Sequence, residues 1–224
     1  MKLITISSGS KGNCYLIDGN EETLVIEAGV SFLSVKKAID FKISKIVGCL
    51  VSHAHSDHAK YTYQYEEAGI PIFEPYSREG DRQTKIFGGF NIVSFPLVHN
   101  VPCYGFMITH KEIGKFLYAS DTEYIKYRFK NLNHILVECN HETELVTEDA
   151  VNFEHALTGH MSLETCEEFV RVNDNPHLLN VTLCHMSDKN INERIAIDRI
   201  KNVTRANVYS AHLTKEIDLR LVPF

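Results

Sequence analysis

The residues with the clearest chemical potential form the segment His53-Ala54-His55-Ser56-Asp57-His58, which holds three histidines and a carboxylate within six positions. Imidazole nitrogens and carboxylate oxygens are ligands that suit zinc, manganese and iron. His53 and His55 are two residues apart, so on an extended segment their side chains point the same way. Asp57 and His58 follow where the chain turns toward a helix, which lets four ligands fan around two adjacent points. The segment therefore predicts a metal site.

Three further candidate ligands, His99, Asp121 and His185, each follow directly on an apolar run that resembles a strand. The first cluster likewise follows residues 46–51, which are nearly all apolar, as a strand buried on both faces should be. Sites in α/β proteins are commonly built where strands end. Because seven ligands exceed the needs of one tetrahedral site, we predict two divalent transition metals, zinc or manganese.

The elements that must position these residues alternate between strand-like and helix-like patterns. Short runs rich in Ile, Leu, Val and Tyr fill the first third of the chain, separated by turn residues such as those at 8–13. Strand-like runs recur later, mixed with helical patterns, and neither a low-complexity linker nor a repeat interrupts them. This order predicts an α/β layered protein with one domain over residues 1–224.

Two helical patterns stand out late in the chain. One begins at Ser162 and places apolar residues on one face. That face consists of Leu163, Cys166, Phe169 and Val170. The second begins at Asn190, with Glu193 three residues on as a capping-box partner. Its residues predicted to face inward are Ile191, Ile195 and Ile200.

The pattern H-x-H-x-D-H, followed by a lone His, a lone Asp and a late His, resembles the metallo-β-lactamase superfamily. Further blocks resemble its YycJ/WalJ branch. They are residues 7–17, Glu138-Cys139-Asn140-His141, Gly159-His160-Met161-Ser162 and Leu183-Cys184-His185-Met186-Ser187. The resemblance covers nearly the whole chain and implies an αββα sandwich with a dinuclear site at one edge. Members of this branch act as metal-dependent nucleases, typically on DNA 5′ ends, so the resemblance implies that activity.

Carried over residue by residue, the resemblance assigns every ligand of two metals. The first metal would take His53, His55 and His99. The second would take Asp57, His58 and His185. Asp121 would bridge the two, and Asp57 is counted among the catalytic residues as well. A hydroxide held between two metals is a nucleophile at neutral pH, and the metal pair neutralises charge that develops on a phosphodiester.

His160 resembles the extra histidine that phosphodiesterases of this superfamily place near the leaving oxygen, which it would protonate or stabilise. The alternative for His160 is a structural histidine beside the Ser162 helix cap. Glu138 is predicted to orient that histidine or a ligand, and the alternative is an ordinary acid at a strand end. Glu27 departs from the family, which usually has Asp there, and this change would shift a hydrogen bond behind the ligands.

The chain carries 23 basic and 29 acidic residues, for a net charge of -6. This balance argues against broad, sequence-independent coating of nucleic acid, which needs a positive surface. A nuclease with this charge must confine its positive contacts to a few side chains. The candidates are Lys60, Lys126, Arg128 and Lys130. The last three alternate with aromatic residues, a pattern that suits either a phosphate backbone or a solvated face.

The cellular compartment is predicted from membrane and export segments that the sequence lacks. No window holds 18 consecutive apolar residues, so we predict no membrane partner, and residues 1–13 lack the apolar run of a signal peptide. Six cysteines stand far apart, as is typical of reduced thiols in a cytoplasmic protein. Five histidines lie in polar surroundings and are predicted to be exposed. They are His110, His134, His155, His177 and His212.

Four functions remain open from the sequence. The first is a nuclease, whose partner is DNA or RNA. The second is a cyclic-nucleotide phosphodiesterase resembling the anti-Pycsar enzymes of phages, which the acidic balance favours. The third is a thioester or lactam hydrolase, and the fourth is a non-catalytic, metal-stabilised binding module. The blocks that resemble the YycJ/WalJ branch favour the first.

Overall fold

Two β-sheets face each other in a computed structural model, which describes residues 1–78, 80–146 and 159–221. The first sheet is built mostly from the early part of the chain. Its strands are β1 (Lys2–Ser7), β2 (Cys14–Asp18), β3 (Thr23–Ile26), β4 (Ile46–Leu50), β5 (Ile72–Phe73) and β13 (Glu216–Asp218). Their order in the sheet is β13-β1-β2-β3-β4-β5, so the latest strand pairs with the earliest.

The second sheet carries most of the later strands. They are β6 (Thr84–Phe87), β7 (Phe90–Pro96), β8 (Tyr104–His110), β9 (Gly114–Ala119), β10 (His134–Glu138), β11 (Asn180–Cys184) and β12 (Asn207–Ser210). The order is β12-β11-β10-β9-β8-β7-β6, and β9 to β12 run parallel. Parallel strands bring their carboxyl ends to one edge of the sheet, so residues that follow β9, β10 and β11 become neighbours.

Helices cover the outer face of each sheet. They are α1 (Phe32–Ala38), α2 (Ser56–Ala59), α3 (Thr62–Glu67), α4 (Leu163–Asn173) and α5 (Glu193–Lys201). One buried cluster, which includes Tyr15, Leu50 and Phe106, fills the space between the sheets. Each sheet has one further buried cluster, which lies between that sheet and its helices. The layers are therefore helix, sheet, sheet, helix, and the predicted αββα metallo-β-lactamase sandwich is confirmed. No helix in the described ranges is long and apolar enough to span a membrane.

Helix α4 matches its prediction. The Ser162 hydroxyl caps it by accepting a hydrogen bond from the Thr165 amide at 3.2 Å. The face predicted to be apolar is buried against the second sheet. This cap also fixes the backbone two residues after His160.

Helix α5 begins later than predicted. Asn192, rather than Asn190, caps it by accepting from the amides of Arg194 and Ile195. The buried face is that of Ala196 and Ile200, and Ile195 is 48% exposed instead of facing inward. Residues four apart share a helix face, whereas Ile195 points about 100° away from Ala196.

The prediction of exposed histidines is wrong at two positions on the strands. His110 and His134 are buried because they belong to β8 and β10 rather than to loops. His110 Nε2 lies 2.9 Å from a Glu22 carboxylate oxygen, which satisfies it inside the protein. His177 is exposed, as predicted, and His155 lies outside the described residues.

Candidate active site

The backbone at the strand ends aims the predicted site residues at one another. The segment that follows β4 carries His53 and His55, and α2 then begins at Ser56 and carries Asp57 and His58. Asp121 follows β9 and His185 follows β11. Asp121 and His185 have φ angles of 56° and 49°. Such left-handed conformations are uncommon outside glycine and concentrate at functional sites.

The first group of potential metal donors consists of His53, His55, His99 and Asp121, whose donor atoms lie within 4.8 Å of one another. His55 Nδ1 and His99 Nε2 are 3.3 Å apart. His53 Nε2 is buried and has no hydrogen-bond partner in the described part of the chain. The His99 Nδ1–H donates to the Gly159 carbonyl at 2.9 Å, which leaves Nε2 for the centre of the group.

The second group consists of Asp57, His58, Asp121 and His185, again within 4.8 Å. His58 Nε2 lies 3.1 Å from Asp121 Oδ1 and 3.3 Å from Asp57 Oδ2. His185 Nε2 is 3.5 Å from Asp57 Oδ2, and its Nδ1–H donates to Glu138 Oε1 at 3.0 Å. Asp121 belongs to both groups, which is the position predicted for a bridging ligand.

Burial and opposite charges perturb the ionisable groups of this centre. Burial lowers the pKa of His53 to about 2, so the ring is neutral. Burial also disfavours a charged His185, but nearby carboxylates, chiefly that of Asp121, outweigh it and raise its pKa to about 10. The pKa of His58 is raised for the same reason. The pKa of Asp121 falls well below its usual value, because the charges of His185 and His58 overcome the opposing effect of burial. Positive charge between the two donor groups thus stabilises the ionised form of the Asp121 carboxylate.

The donor set fits divalent transition metals. Neutral imidazole and carboxylate are the ligands that zinc and manganese accept. Ring nitrogens of His53 and His185 that face the centre have no hydrogen-bond partner among the described residues, and an ion would satisfy them. The opposite nitrogens of His99 and His185 donate to oxygen acceptors, an arrangement that fixes the tautomer of metal ligands. The two groups together contain all seven predicted ligands, whose roles stay a prediction.

Glu138 and His160 lie at the same edge. Glu138 is fully buried, and its Oε1 accepts from His160 Nδ1–H at 2.7 Å. Its Oε2 accepts from the backbone amides of Thr122 and Met161 at 2.9 and 3.3 Å. Burial opposes a charge on His160, but the Glu138 carboxylate outweighs that effect and raises the pKa of His160. His160 also lines the open cavity, so this ring faces both its carboxylate and the space where a substrate would lie.

Two buried polar residues lie beside His58, one near each of its ring nitrogens. Asn13, which the sequence analysis did not single out, places Nδ2 2.9 Å from His58 Nε2 and 3.3 Å from Asp57 Oδ2. Asn13 ends the turn at residues 8–13, and this turn is the sequence feature that could have pointed to it. Glu27 has a φ of 67° and places Oε2 3.4 Å from His58 Nδ1. The longer side chain at position 27 therefore still reaches the ring that it would orient.

A cavity of about 890 Å³ opens over the donor groups. Three lysines line it, Lys11, Lys189 and Lys215, and none of them was predicted. The four predicted cations, Lys60, Lys126, Arg128 and Lys130, are exposed but lie outside the described lining. In the run 126–130, Phe129 instead packs against the core, with its ring 5.0 Å from that of Phe95.

His212 was predicted to be exposed, and this is wrong. It is half-buried at the cavity wall, where Nδ1 lies 2.6 Å from a Glu193 carboxylate oxygen and Nε2 lies 2.8 Å from the Ser8 carbonyl oxygen. Glu193 therefore serves the cavity wall and not the capping box that the sequence predicted.

Comparison with known proteins gives matches in sequence and in structure. The family described as the Metallo-beta-lactamase superfamily matches residues 8–69. Exodeoxyribonuclease WalJ of Streptococcus pneumoniae serotype 2 is 24% identical over 248 residues, covering 92% of this chain and 90% of the relative. Exodeoxyribonuclease YycJ of Bacillus anthracis is 27% identical over 169 residues and 63% of each chain.

The structural comparison extends over the whole described sandwich. The metallo-β-lactamase fold protein YhfI from Bacillus subtilis has a TM-score of 0.74 at 18% identity, covering 97% of this chain and 99% of that one. At this identity the likeness establishes the fold alone.

Proposed function

The chain belongs to the metallo-β-lactamase superfamily, and from that premise we propose that it is a dinuclear metal-dependent phosphodiester hydrolase, acting as a nuclease of the 5′-end DNA exonuclease type. One observation carries the proposal. Two groups of histidine and aspartate donors share Asp121, and the Glu138–His160 pair lies beside them at the same cavity.

The proposed ligands divide as the two donor groups do. His53, His55 and His99 would hold one metal, Asp57, His58 and His185 the other, and Asp121 would serve both. Two metals bound there would supply a water-derived nucleophile at neutral pH and neutralise the charge that develops on the phosphate. Asp121 is fixed for this task because the Ser120 hydroxyl donates to its Oδ1 at 2.8 Å.

His160 is the proposed general acid. Its Nδ1–H is engaged by Glu138, so Nε2 is the nitrogen left to hold a proton toward the cavity. An alkoxide leaving group needs such a proton, and a positioned acid contributes about 10²–10⁴-fold to the rate. Glu138 is a positioning residue, since four hydrogen bonds fix its two oxygens.

Two observations bear on the substrate. Distant homology to WalJ and YycJ exodeoxyribonucleases over most of the chain supports a nucleic-acid substrate. The cavity volume of about 890 Å³ falls within the range of small-molecule sites, which favours the second candidate, a cyclic-nucleotide phosphodiesterase of the anti-Pycsar type. The three lysines that line the cavity favour the nuclease, because a nucleic-acid strand has several phosphates.

The six cysteines bear on the compartment. All of them lie in the described part of the chain, and all are free and buried. Free thiols suit a reducing environment, which supports the proposal of a cytoplasmic enzyme.

A side-by-side assay tests the proposed function. Purified protein supplied with manganese is offered 5′-phosphorylated duplex DNA, single-stranded nucleic acid, cyclic mononucleotides and bis(p-nitrophenyl) phosphate. We expect hydrolysis of nucleic acid and of the nitrophenyl diester. Efficient cleavage of cyclic mononucleotides with no attack on either nucleic acid would establish the second candidate instead.

A further inference from the structure

The cavity has two parts, and the donor groups account for only one of them. The other part includes three loops that carry no proposed ligand, residues 6–11, 186–190 and 212–215, together with Asn100, Asn140 and Val146. Each loop contributes one lysine. We call Lys11, Lys189 and Lys215 the lysine wall.

The loops of this wall are fastened to the metal-binding edge. The Ser8 hydroxyl accepts from the backbone amide of His185 at 2.9 Å, which ties the first loop to a proposed ligand. His212 binds the Ser8 carbonyl at 2.8 Å and Glu193 at 2.6 Å, which ties the third loop to the first and to α5. The backbone that carries the lysines is therefore held at a fixed place relative to the donor groups.

The lysine wall is positively charged, whereas the chain as a whole carries a net negative charge. The three loops contain one carboxylate, Asp188, whose oxygen lies 3.7 Å from Lys11 Nζ. Both partners are largely exposed, with side-chain exposures of 91% and 77%, and such pairs are weak. Lys189 and Lys215 make no ion pair with any residue that the structure describes. A chain of net charge -6 thus gathers cations beside its proposed catalytic centre.

We propose that the lysine wall binds the phosphates of a nucleic-acid strand adjacent to the phosphodiester being cleaved. This inference rests on the proposed function and extends it to the substrate. The donor groups would take the phosphate that reacts, so a cyclic mononucleotide would have no second phosphate for the wall. A strand has one for each nucleotide, and lysines are suitable partners for these phosphates because they act as point charges.

The test compares two triple variants. Lys11→Ala/Lys189→Ala/Lys215→Ala removes the wall, and Lys126→Ala/Arg128→Ala/Lys130→Ala removes an equal number of exposed cations outside the cavity lining. Both are measured as manganese-loaded proteins. The readouts are binding of a fluorescent single-stranded phosphorothioate oligonucleotide at several salt concentrations and the kcat/KM ratio of oligonucleotide to bis(p-nitrophenyl) phosphate.

For a single strand each neutralised phosphate contributes about -0.7 to the slope of log affinity against log salt. We expect the wall variant, which loses three cations, to flatten that slope by about 2 and to lower the kcat/KM ratio by about tenfold or more. The control variant should keep the slope and ratio of the unaltered protein.

The outcomes separate the two proposals. An unchanged slope and ratio in the wall variant, or an equal loss in the control variant, overturns the lysine wall even if the enzyme is a nuclease. Hydrolysis of neither the oligonucleotide nor the nitrophenyl diester by the unaltered protein overturns the proposed function. In that case the binding slopes still decide whether the wall holds phosphates.

Discussion

His160 and His185 share one hydrogen-bond acceptor. Both Nδ1 atoms lie within 3.0 Å of Glu138 Oε1, at 2.7 and 3.0 Å, and the two rings stack with centroids 5.3 Å apart. One carboxylate thus orients both the proposed general acid and a proposed ligand. Replacing His160 and replacing Glu138 should therefore have different consequences.

Replacing His160 by Ala should retain both metals and lower turnover of an oligonucleotide about 10²–10⁴-fold, the range expected for a positioned acid. A nitrophenyl phosphodiester has an acidic leaving group that needs no proton, so its hydrolysis should be largely spared. Steady-state kinetics on both substrates gives the comparison, with His177→Ala as a control because His177 is an exposed histidine. Equal losses on the two substrates would contradict the acid role.

Replacing Glu138 by Gln should affect metal binding as well as turnover. The amide introduces donors toward a site where the carboxylate accepts four hydrogen bonds, including that of His185. Loss of such an outer partner typically costs 10–100-fold in metal affinity or activity. Titration of the metal-free protein with zinc should show the weakening, and a zinc affinity equal to that of the unaltered protein would mean that Glu138 orients only His160.

Replacing Asp121 by Ala should reduce occupancy of both metal positions, because this residue belongs to both donor groups. Elemental analysis of protein purified without chelator measures the number of metals per chain. We expect two in the unaltered protein and fewer than one in the variant. A single, fully occupied metal that the substitution leaves in place would rule out the dinuclear arrangement.

Chelation should destabilise the protein. A ligand that binds only the folded state at about 100 times its Kd adds about 2.7 kcal/mol, and about 1 kcal/mol moves the Tm of a chain of this size by roughly 2–4 °C. Removing the metals should therefore lower the Tm by about 5–10 °C. Thermal unfolding with and without EDTA measures the shift, which should shrink in Asp121→Ala. An equal shift in that variant would place the stabilising metal elsewhere.

His134 should make stability depend on pH independently of the metals. Burial lowers its pKa to about 4, against about 6.5 when unfolded. The folded state thus binds fewer protons, so its stability is complete above pH 6.5 and falls as the pH drops toward 4, by about 2–3 kcal/mol. His134→Gln does not titrate but keeps an acceptor for Asn180, which lies 3.0 Å from Nδ1. Urea unfolding in EDTA should show a shallower pH dependence in the variant, and identical curves would refute the assignment.

The strands that carry the site were predictable because they are buried. The predicted strands before His53, Asp121 and His185 correspond to β4, β9 and β11, whose apolar runs are dense enough to distinguish them. Strands β6 and β13 give no such signal. Both are short and largely exposed, with sequences TKIF and EID, so neither shows a clear apolar pattern.

The site itself was only partly visible in the sequence. Histidine and aspartate spacing indicated the donors, but the cavity wall is assembled from residues far apart along the chain. Ser8 binds the amide of His185 and the ring of His212, contacts that span 177 and 204 residues. No local pattern encodes such contacts, so nothing in the sequence marks Lys11 and Lys215 as cavity residues, whereas Lys126 and Lys130 lie close to Asp121 in sequence but outside the cavity lining.

The pairing of β13 with β1 sets the order in which a growing chain can acquire this site. Strand β1 is synthesised well before its partner β13, so its outer edge stays open until residues 216–218 have been synthesised. Lys215 and His212 arrive at the same late moment, and with them the third loop of the cavity. A nascent chain that has reached Asp121 therefore carries six of the seven proposed donors but lacks two of the three loops of the lysine wall. Under the proposal above, the binding of a nucleic-acid strand therefore waits until residues 212–218 have been synthesised.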